Sequence, residues 1–96
     1  MLTKNQKKYL KGLGNTLKPL VQIGKNGLTK TVIQSVDEVL AAHELLKIDV
    51  LKNCETECEE LALDIASSTN SEIISQLGRK ILLYRKSKEG KIKLPR

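Results

Sequence analysis

The sequence predicts an α/β domain in which helices pack on a mixed four-stranded sheet, with the element order α-β-α-β-α-β-β. Three observations lead to this prediction. The chain has 96 residues, which is enough for one hydrophobic core but not for two. It is 40% hydrophobic and 29% charged, a composition typical of a folded domain. Segments with a helical apolar period alternate with short apolar runs rich in branched residues, as in a sheet covered by helices.

The first helix is expected to begin at Lys4, because Thr3 and Gln6 form a capping-box pattern. On a helical wheel its lysines share one side and its apolar residues share the other. The apolar side consists of Tyr9, Leu10, Leu13 and Leu17. The other side, which we call the lysine row, consists of Lys4, Lys7, Lys8 and Lys11. No acidic residue occurs in the first 36 positions, so the lysine row has no counter-charge close in sequence.

The middle of the chain predicts a strand–helix–strand unit. Residues 19–23 are short, branched and apolar, as in a buried strand. Residues 28–42 carry an apolar stripe with helical spacing. Residues 46–50 alternate strictly, which predicts a strand with one solvated face. A right-handed crossover between the two strands would place them parallel.

The second half predicts one helix and a hairpin. Residues 55–68 are expected to form a helix that buries Cys58 and other apolar side chains. Residues 73–77 and 80–85 are expected to form two strands, joined by a tight turn at Gly78 and Arg79. Residues 1–86 form the predicted domain. Residues 87–96 are a basic tail that either adds an edge strand or stays loose.

Charge is distributed in three blocks. The net charge is +7 over residues 1–36, −8 over residues 37–78 and +7 over residues 79–96. Two arrangements are compatible with this pattern: the basic ends fold onto a common face, or the charges solvate separate surfaces. The overall charge of +6 favours an acidic partner without naming one.

The sequence offers little for catalysis or for metal binding. Cys54 and Cys58 are four residues apart, and at that helical spacing Cβ atoms lie about 5–6 Å apart, wider than the ~3.8 Å of a disulfide. Free thiols are therefore expected, as in a reducing cytoplasm. With one histidine, His43, expected to pack in the core at a helix end, the chain lacks four ligands for zinc. We expect no enzyme activity, cofactor, small-molecule substrate or membrane span, since the longest strongly apolar run is residues 81–84.

A GxxG loop, formed by Gly24, Lys25, Asn26 and Gly27, links the first predicted strand to the second helix. Glycines at such a junction let a phosphate approach the backbone, and the N–H groups of the helix start face it. KH domains clamp a nucleic-acid backbone with a GxxG loop. The alternative is an ordinary turn with glycine at positive φ. The residues alone leave both interpretations open.

Three ordered segments carry a family resemblance. They are Leu2-Thr3 with Gln6, Tyr9-Leu10, Gly12-Leu13, Leu17-Lys18-Pro19 and Val21-Gln22-Ile23-Gly24-Lys25-Asn26-Gly27-Leu28-Thr29; then His43-Glu44-Leu45-Leu46-Lys47-Ile48; then Leu77-Gly78-Arg79 with Leu82-Leu83-Tyr84-Arg85. Over residues 2–85 the chain resembles the YhbY family, the single-domain bacterial form of the CRM (chloroplast RNA splicing and ribosome maturation) domain. One departure is Leu46, where the family usually has isoleucine.

The resemblance implies a fold similar to the C-terminal domain of translation initiation factor 3. It also implies RNA binding and association with precursors of the large ribosomal subunit. The GxxG loop and the lysine row correspond to the family's expected RNA contacts, and we expect Lys30, Arg79, Lys80 and Arg85 to join them. We therefore expect a cytoplasmic, monomeric RNA-binding protein with a role in ribosome assembly. The alternatives are a module that binds an acidic protein and, less favoured, a helix that docks on an anionic membrane.

Overall fold

The computed structural model describes residues 2–88, 90 and 92–95. Over these residues the chain forms three helices and a four-stranded sheet in the predicted order. The elements are α1 (Lys4–Gly14), β1 (Val21–Ile23), α2 (Lys30–His43), β2 (Leu45–Val50), α3 (Cys58–Thr69), β3 (Glu72–Leu77) and β4 (Lys80–Tyr84). The predicted α/β class with a mixed sheet is thus confirmed.

The sheet has the strand order β1-β2-β4-β3. β1 and β2 are parallel, with Val21 opposite Ile48, as the crossover through α2 requires. β2 and β3 each pair antiparallel with β4. The register between β3 and β4 shifts between Ile73 and Ser75, the mark of a β-bulge.

Each face of the sheet has its own hydrophobic core. Alternating side chains such as Leu46, Ile48 and Leu83 pack against α2 and α3. Their neighbours, among them Leu82 and Tyr84, point to the opposite face, where they pack against α1. The sheet is therefore covered on both sides. This corrects the expectation of a solvated face on β2, because α1 lies over that face.

The end of α1 differs from the prediction. The helix stops at Gly14, where an added Cβ would lie 2.5 Å from Leu82 Cδ2. A residue with a side chain at this position would require the buried Leu82 side chain to move. Leu17 therefore lies outside the helix and is 37% exposed, and Tyr9 is 43% exposed. Of the predicted apolar side, Leu10 is the residue that is fully buried.

The other boundaries shift by a few residues for local reasons. α2 begins at Lys30, because the Thr29 side chain accepts the Val32 N–H at 3.2 Å and caps the helix. α3 begins at Cys58 instead of at residue 55. Cys54 lies in the preceding loop, where its N–H donates to the Leu51 carbonyl, so the two cysteines do not share a helix as their spacing suggested. Both cysteines are free, as predicted.

β1 and β4 are also shorter than predicted, since β1 starts at Val21 and β4 ends at Tyr84. β2 and β3 each begin one residue earlier than expected, at Leu45 and Glu72. The prediction that His43 packs in the core is wrong, because it is exposed at the end of α2.

The C-terminal segment is held against the domain by a buried carboxylate. Glu44 is 0% exposed and follows α2 with a φ of 66°. Its carboxylate accepts hydrogen bonds from Ser87 N–H at 2.6 Å, from the Ser87 hydroxyl at 2.7 Å and from Ile92 N–H at 2.6 Å. Ile92 and Leu94 then pack against the core under α1. The described tail residues contain no strand, so of the two expected states the edge strand does not occur there.

Candidate nucleic-acid interface

The lysine row lies on the outer side of α1. All four of its side chains are exposed, whereas Leu10 on the opposite side is fully buried. The predicted capping box is present: the Thr3 hydroxyl accepts the Gln6 N–H at 3.1 Å, and the Gln6 side chain accepts the Thr3 N–H at 3.0 Å. The row is thus carried by a capped helix that is anchored to the sheet, so the Cα atoms of its lysines keep a constant spacing.

The GxxG loop forms a tight turn at the carboxyl end of β1. The Gly27 N–H donates to the Gly24 carbonyl at 3.0 Å, and Gly27 has a φ of 64°, which favours glycine. Lys25 and Asn26 form the corner of the turn and are both exposed. Lys30, in the first turn of α2, is exposed as well. The loop is therefore a turn whose corner is accessible to a large ligand.

Arg79 lies beside this loop. The Leu51 N–H donates to the Ile23 carbonyl at 2.8 Å, and the Leu51 carbonyl accepts Arg79 Nη1 at 3.3 Å. The Val50 N–H donates to the Arg79 carbonyl at 2.8 Å. These bonds bring the turn between β3 and β4 next to the end of β1. Arg79 and the GxxG loop thus share one end of the sheet.

Two further lysines lie between α1 and the end of the sheet that carries the GxxG loop. Lys80 forms an ion pair with Asp49, with 2.6 Å between Nζ and Oδ1. Lys47, which the sequence reasoning missed, donates from Nζ to the Gly14 carbonyl at 3.2 Å. The alternation of β2 already placed Lys47 and Asp49 on one face. What it could not show is that α1 covers that face.

Arg85 is separated from the other predicted contacts. Its guanidinium donates to the Asp37 carboxylate and carbonyl in α2 and, at 2.8 Å, to the Thr69 carbonyl at the end of α3. Strand alternation explains the direction, since the Tyr84 side chain points toward α1 and the next residue points the other way. Arg85 therefore serves bonds within the fold, and we leave it out of the interface.

The two layers that cover the sheet carry opposite charge. α1 and the C-terminal segment lie on the same face, because Leu2, Leu13, Ile92 and Leu94 share one core. Exposed acidic residues are concentrated on the opposite layer and before α3, namely Asp37, Glu38, Glu55, Glu57, Glu59, Glu60 and Asp64. Of the two arrangements left open by the charge blocks, the structure supports basic ends that share a face.

One titratable group beneath α1 is perturbed. Burial raises the pKa of Tyr84 above its ordinary value of 10.0, and the negative charge of Glu44 raises it further. The phenol therefore stays neutral at physiological pH. The described residues contain no cluster of three or more His, Cys, Asp or Glu side chains that could hold a metal ion. No helix among these residues could serve as a transmembrane span.

A small α/β domain with a basic helix and an exposed glycine turn is suited to binding a nucleic-acid backbone. Comparison with known families makes the assignment specific. The model of the CRS1/YhbY (CRM) domain matches residues 2–85, and the chain belongs to this family. The family expected from the three sequence segments is confirmed.

Relatives of similar length match almost end to end. The chain is 38% identical to the probable RNA-binding protein YqeI of Bacillus subtilis, over 99% of this chain and 100% of the relative. It is also 38% identical to an RNA-binding protein of Haemophilus influenzae, over 99% and 96% of the two chains. The solution structure of the hypothetical protein SAV1595 from Staphylococcus aureus matches with a TM-score of 0.84 and 42% identity, over 99% and 100%. The names of these relatives describe RNA binding and no enzyme activity.

Proposed function

We propose that the chain is a monomeric, cytoplasmic RNA-binding protein that associates with ribosomal RNA in precursors of the large ribosomal subunit. The lysine row and the GxxG loop, together with Lys30, Arg79 and Lys80, contact the phosphate backbone. The observation that carries this proposal is the lysine row, which presents four exposed ammonium groups from one side of a capped helix. Membership in the CRS1/YhbY family and the names of the relatives support RNA as the ligand.

The chemistry of this surface favours recognition of RNA shape over base sequence. Ammonium groups neutralise phosphates, and such contacts position a protein on nucleic acid without sequence information. The chain has no Phe or Trp, and Tyr84 is buried, so a platform for stacking several bases is absent from the described residues. A folded RNA surface, in which shape supplies specificity, fits these properties. Ribosomal precursors offer such surfaces, and the family resemblance points to the large subunit.

The ribosomal proposal is tested by fractionating cell lysate on density gradients at low and high salt. We expect the protein to sediment with large-subunit precursors at low salt and to leave them at high salt, because phosphate contacts weaken as salt rises. Mature subunits should retain less of it, and deletion should cause precursor particles to accumulate. Detection only at the top of the low-salt gradient would refute a ribosomal partner. Cross-linking in cells, followed by sequencing of the bound RNA, would then identify the RNA site.

Binding to RNA itself is tested separately with the purified chain. Affinity for a defined hairpin is measured across salt concentrations, with anionic vesicles and an acidic peptide as competing ligands. We expect RNA to bind more tightly than either competitor. Tighter binding of the acidic peptide would favour the protein-interaction alternative, and tighter binding of vesicles would favour the membrane alternative.

A further inference from the structure

A cavity of about 360 Å³ lies between the C-terminal end of α1 and the sheet. Its walls come from α1, β2, β3 and β4. Its volume falls in the ~300–1,000 Å³ range of small-molecule sites. The cavity therefore has room for a compact ligand, and its lining indicates which kind.

Three lysines from three different elements line the cavity: Lys11 from α1, Lys47 from β2 and Lys80 from β4. Lys80 is paired with Asp49, and Lys47 donates to a backbone carbonyl. Each ammonium group has three donors, so both retain hydrogen-bonding capacity after these contacts. The lining has an excess of positive charge, which complements an anionic group.

The remaining lining is apolar on some sides and polar on others. Leu82 is buried and contributes apolar surface, and Leu77 is 81% exposed, unusual for a large apolar side chain. Ser75 lines the same cavity and supplies a polar group. A ligand with an anionic group, an apolar face and a polar edge matches all three kinds of lining. A nucleotide has these three parts.

The position of the cavity links it to the interface. Lys11 belongs both to the lysine row and to the cavity lining. Lys80 directly follows Arg79, which lies beside the GxxG loop. An RNA backbone that contacts both the lysine row and the end of the sheet that carries the GxxG loop passes the cavity. A nucleotide that leaves the base stack there can turn into it without leaving the surface.

We propose that this cavity holds one unpaired nucleotide of the bound RNA, with its phosphate near Lys11 and Lys80 and its base against Leu82 and Leu77. The proposal rests on the RNA binding proposed above and adds a site for a single base. An acidic peptide would use the lysines but would gain little from the apolar wall. The nucleotide uses both, and so it is the better match.

The first test uses the amide spectrum of the ¹⁵N-labelled full chain. It is titrated with uridine and adenosine 5′-monophosphates, ribose 5-phosphate, inorganic phosphate and an Asp–Glu dipeptide. We expect at least one nucleotide to shift the amides of Asn15, Ser75 and Leu77 and to bind about three- to tenfold more tightly than ribose 5-phosphate, since a buried base adds apolar contact. Equal binding of ribose 5-phosphate, or tighter binding of the dipeptide, would overturn the proposal.

The second test uses RNA and separates the cavity from the general interface. Two hairpins are compared, one with a single bulged nucleotide and one with an abasic residue at the same place. We expect the bulged hairpin to bind about three- to tenfold more tightly, toward the low end of what one base contributes. If both bind equally and with the usual salt dependence, the cavity proposal fails and the RNA-binding proposal stands. If neither binds, both proposals fail.

Substitutions in the cavity lining test whether the unpaired base binds there. Ser75→Ile fills the cavity with a side chain that suits a strand, and it is expected to remove the difference between the two hairpins. Ser67→Ile, at an exposed position on α3, is the matched control and should keep the difference. Lys80→Gln should weaken the bulged hairpin more than Lys88→Gln, an exposed lysine outside the cavity lining. A difference between hairpins that persists in Ser75→Ile, in a chain whose spectrum shows it folded, would overturn the assignment.

Discussion

Replacing Glu44 with alanine is expected to lower the free energy of unfolding by about 2–4 kcal/mol. The change removes all three hydrogen bonds that the carboxylate accepts from Ser87 and Ile92. Each hydrogen bond to a charged group contributes ~1.5–3 kcal/mol. The loss is smaller than the sum, because the freed segment can move into water and the variant no longer buries a charge.

The backbone at Glu44 allows its two contributions to be separated. Its φ of 66° and ψ of −34° lie where side chains other than glycine are strained. Glu44→Gly removes the same carboxylate but relieves this strain. We therefore expect the glycine variant to be about 1 kcal/mol more stable than the alanine variant.

The assay is urea unfolding followed by circular dichroism. A chain of this length is expected to have ~5–14 kcal/mol of stability, so losses of this size are measurable. Glu38→Ala, at an exposed position on α2, is the matched control and should change stability by at most ~0.5 kcal/mol. The reasoning is refuted if Glu44→Ala lies within about 1 kcal/mol of the unmodified chain, or if glycine is no more stable than alanine.

The remaining predictions concern the interface, the helix–sheet contact and one titration. Changing the whole lysine row to glutamine should lower the slope of log K against log salt by ~0.7–0.9 for each lost phosphate contact, and an unchanged slope in a folded variant would contradict the assignment. Lys25→Asp combined with Asn26→Asp should cost at most ~0.5 kcal/mol of stability, yet it should reduce RNA affinity well beyond the effect of one lysine removed elsewhere. Unchanged RNA affinity in this double variant would show that the loop is a turn without a role in binding. Gly14→Ala should destabilise the chain by ~1–3 kcal/mol through the clash with β4, whereas Gly12→Ala, where an added Cβ meets nothing within 4 Å, should stabilise it by ~0.4–1 kcal/mol. Burial and a nearby carboxylate raise the pKa of Tyr84 above 10.0, so the stability that this residue contributes is fully present below pH 10 and falls as pH rises through the folded pKa. Unfolding measured across that pH range should show the fall in stability, and Tyr84→Phe should abolish it.

Features that depend on neighbours in the chain could be predicted from the sequence. The capping pair Thr3 and Gln6 placed the start of α1, and helical spacing placed the lysine row on one side. The strand–helix–strand order predicted parallel β1 and β2, and the structure confirms it. The GxxG loop was recognisable because glycines fell between a strand and a helix. Caps, periodicity and turn residues act over a few positions, so one sequence is enough to detect them.

Features that depend on residues distant in sequence became visible only in the folded structure. Glu44 and Ile92 are 48 positions apart, and no local pattern joins the carboxylate to the tail. Gly14 in α1 packs against Leu82 in β4, a contact that no local pattern reveals. Arg85 donates to Asp37 in α2 and so lies apart from the interface, although it is basic like the other candidates. Each of these interactions forms between two segments that are far apart in sequence, and only the packed fold specifies which segments come into contact.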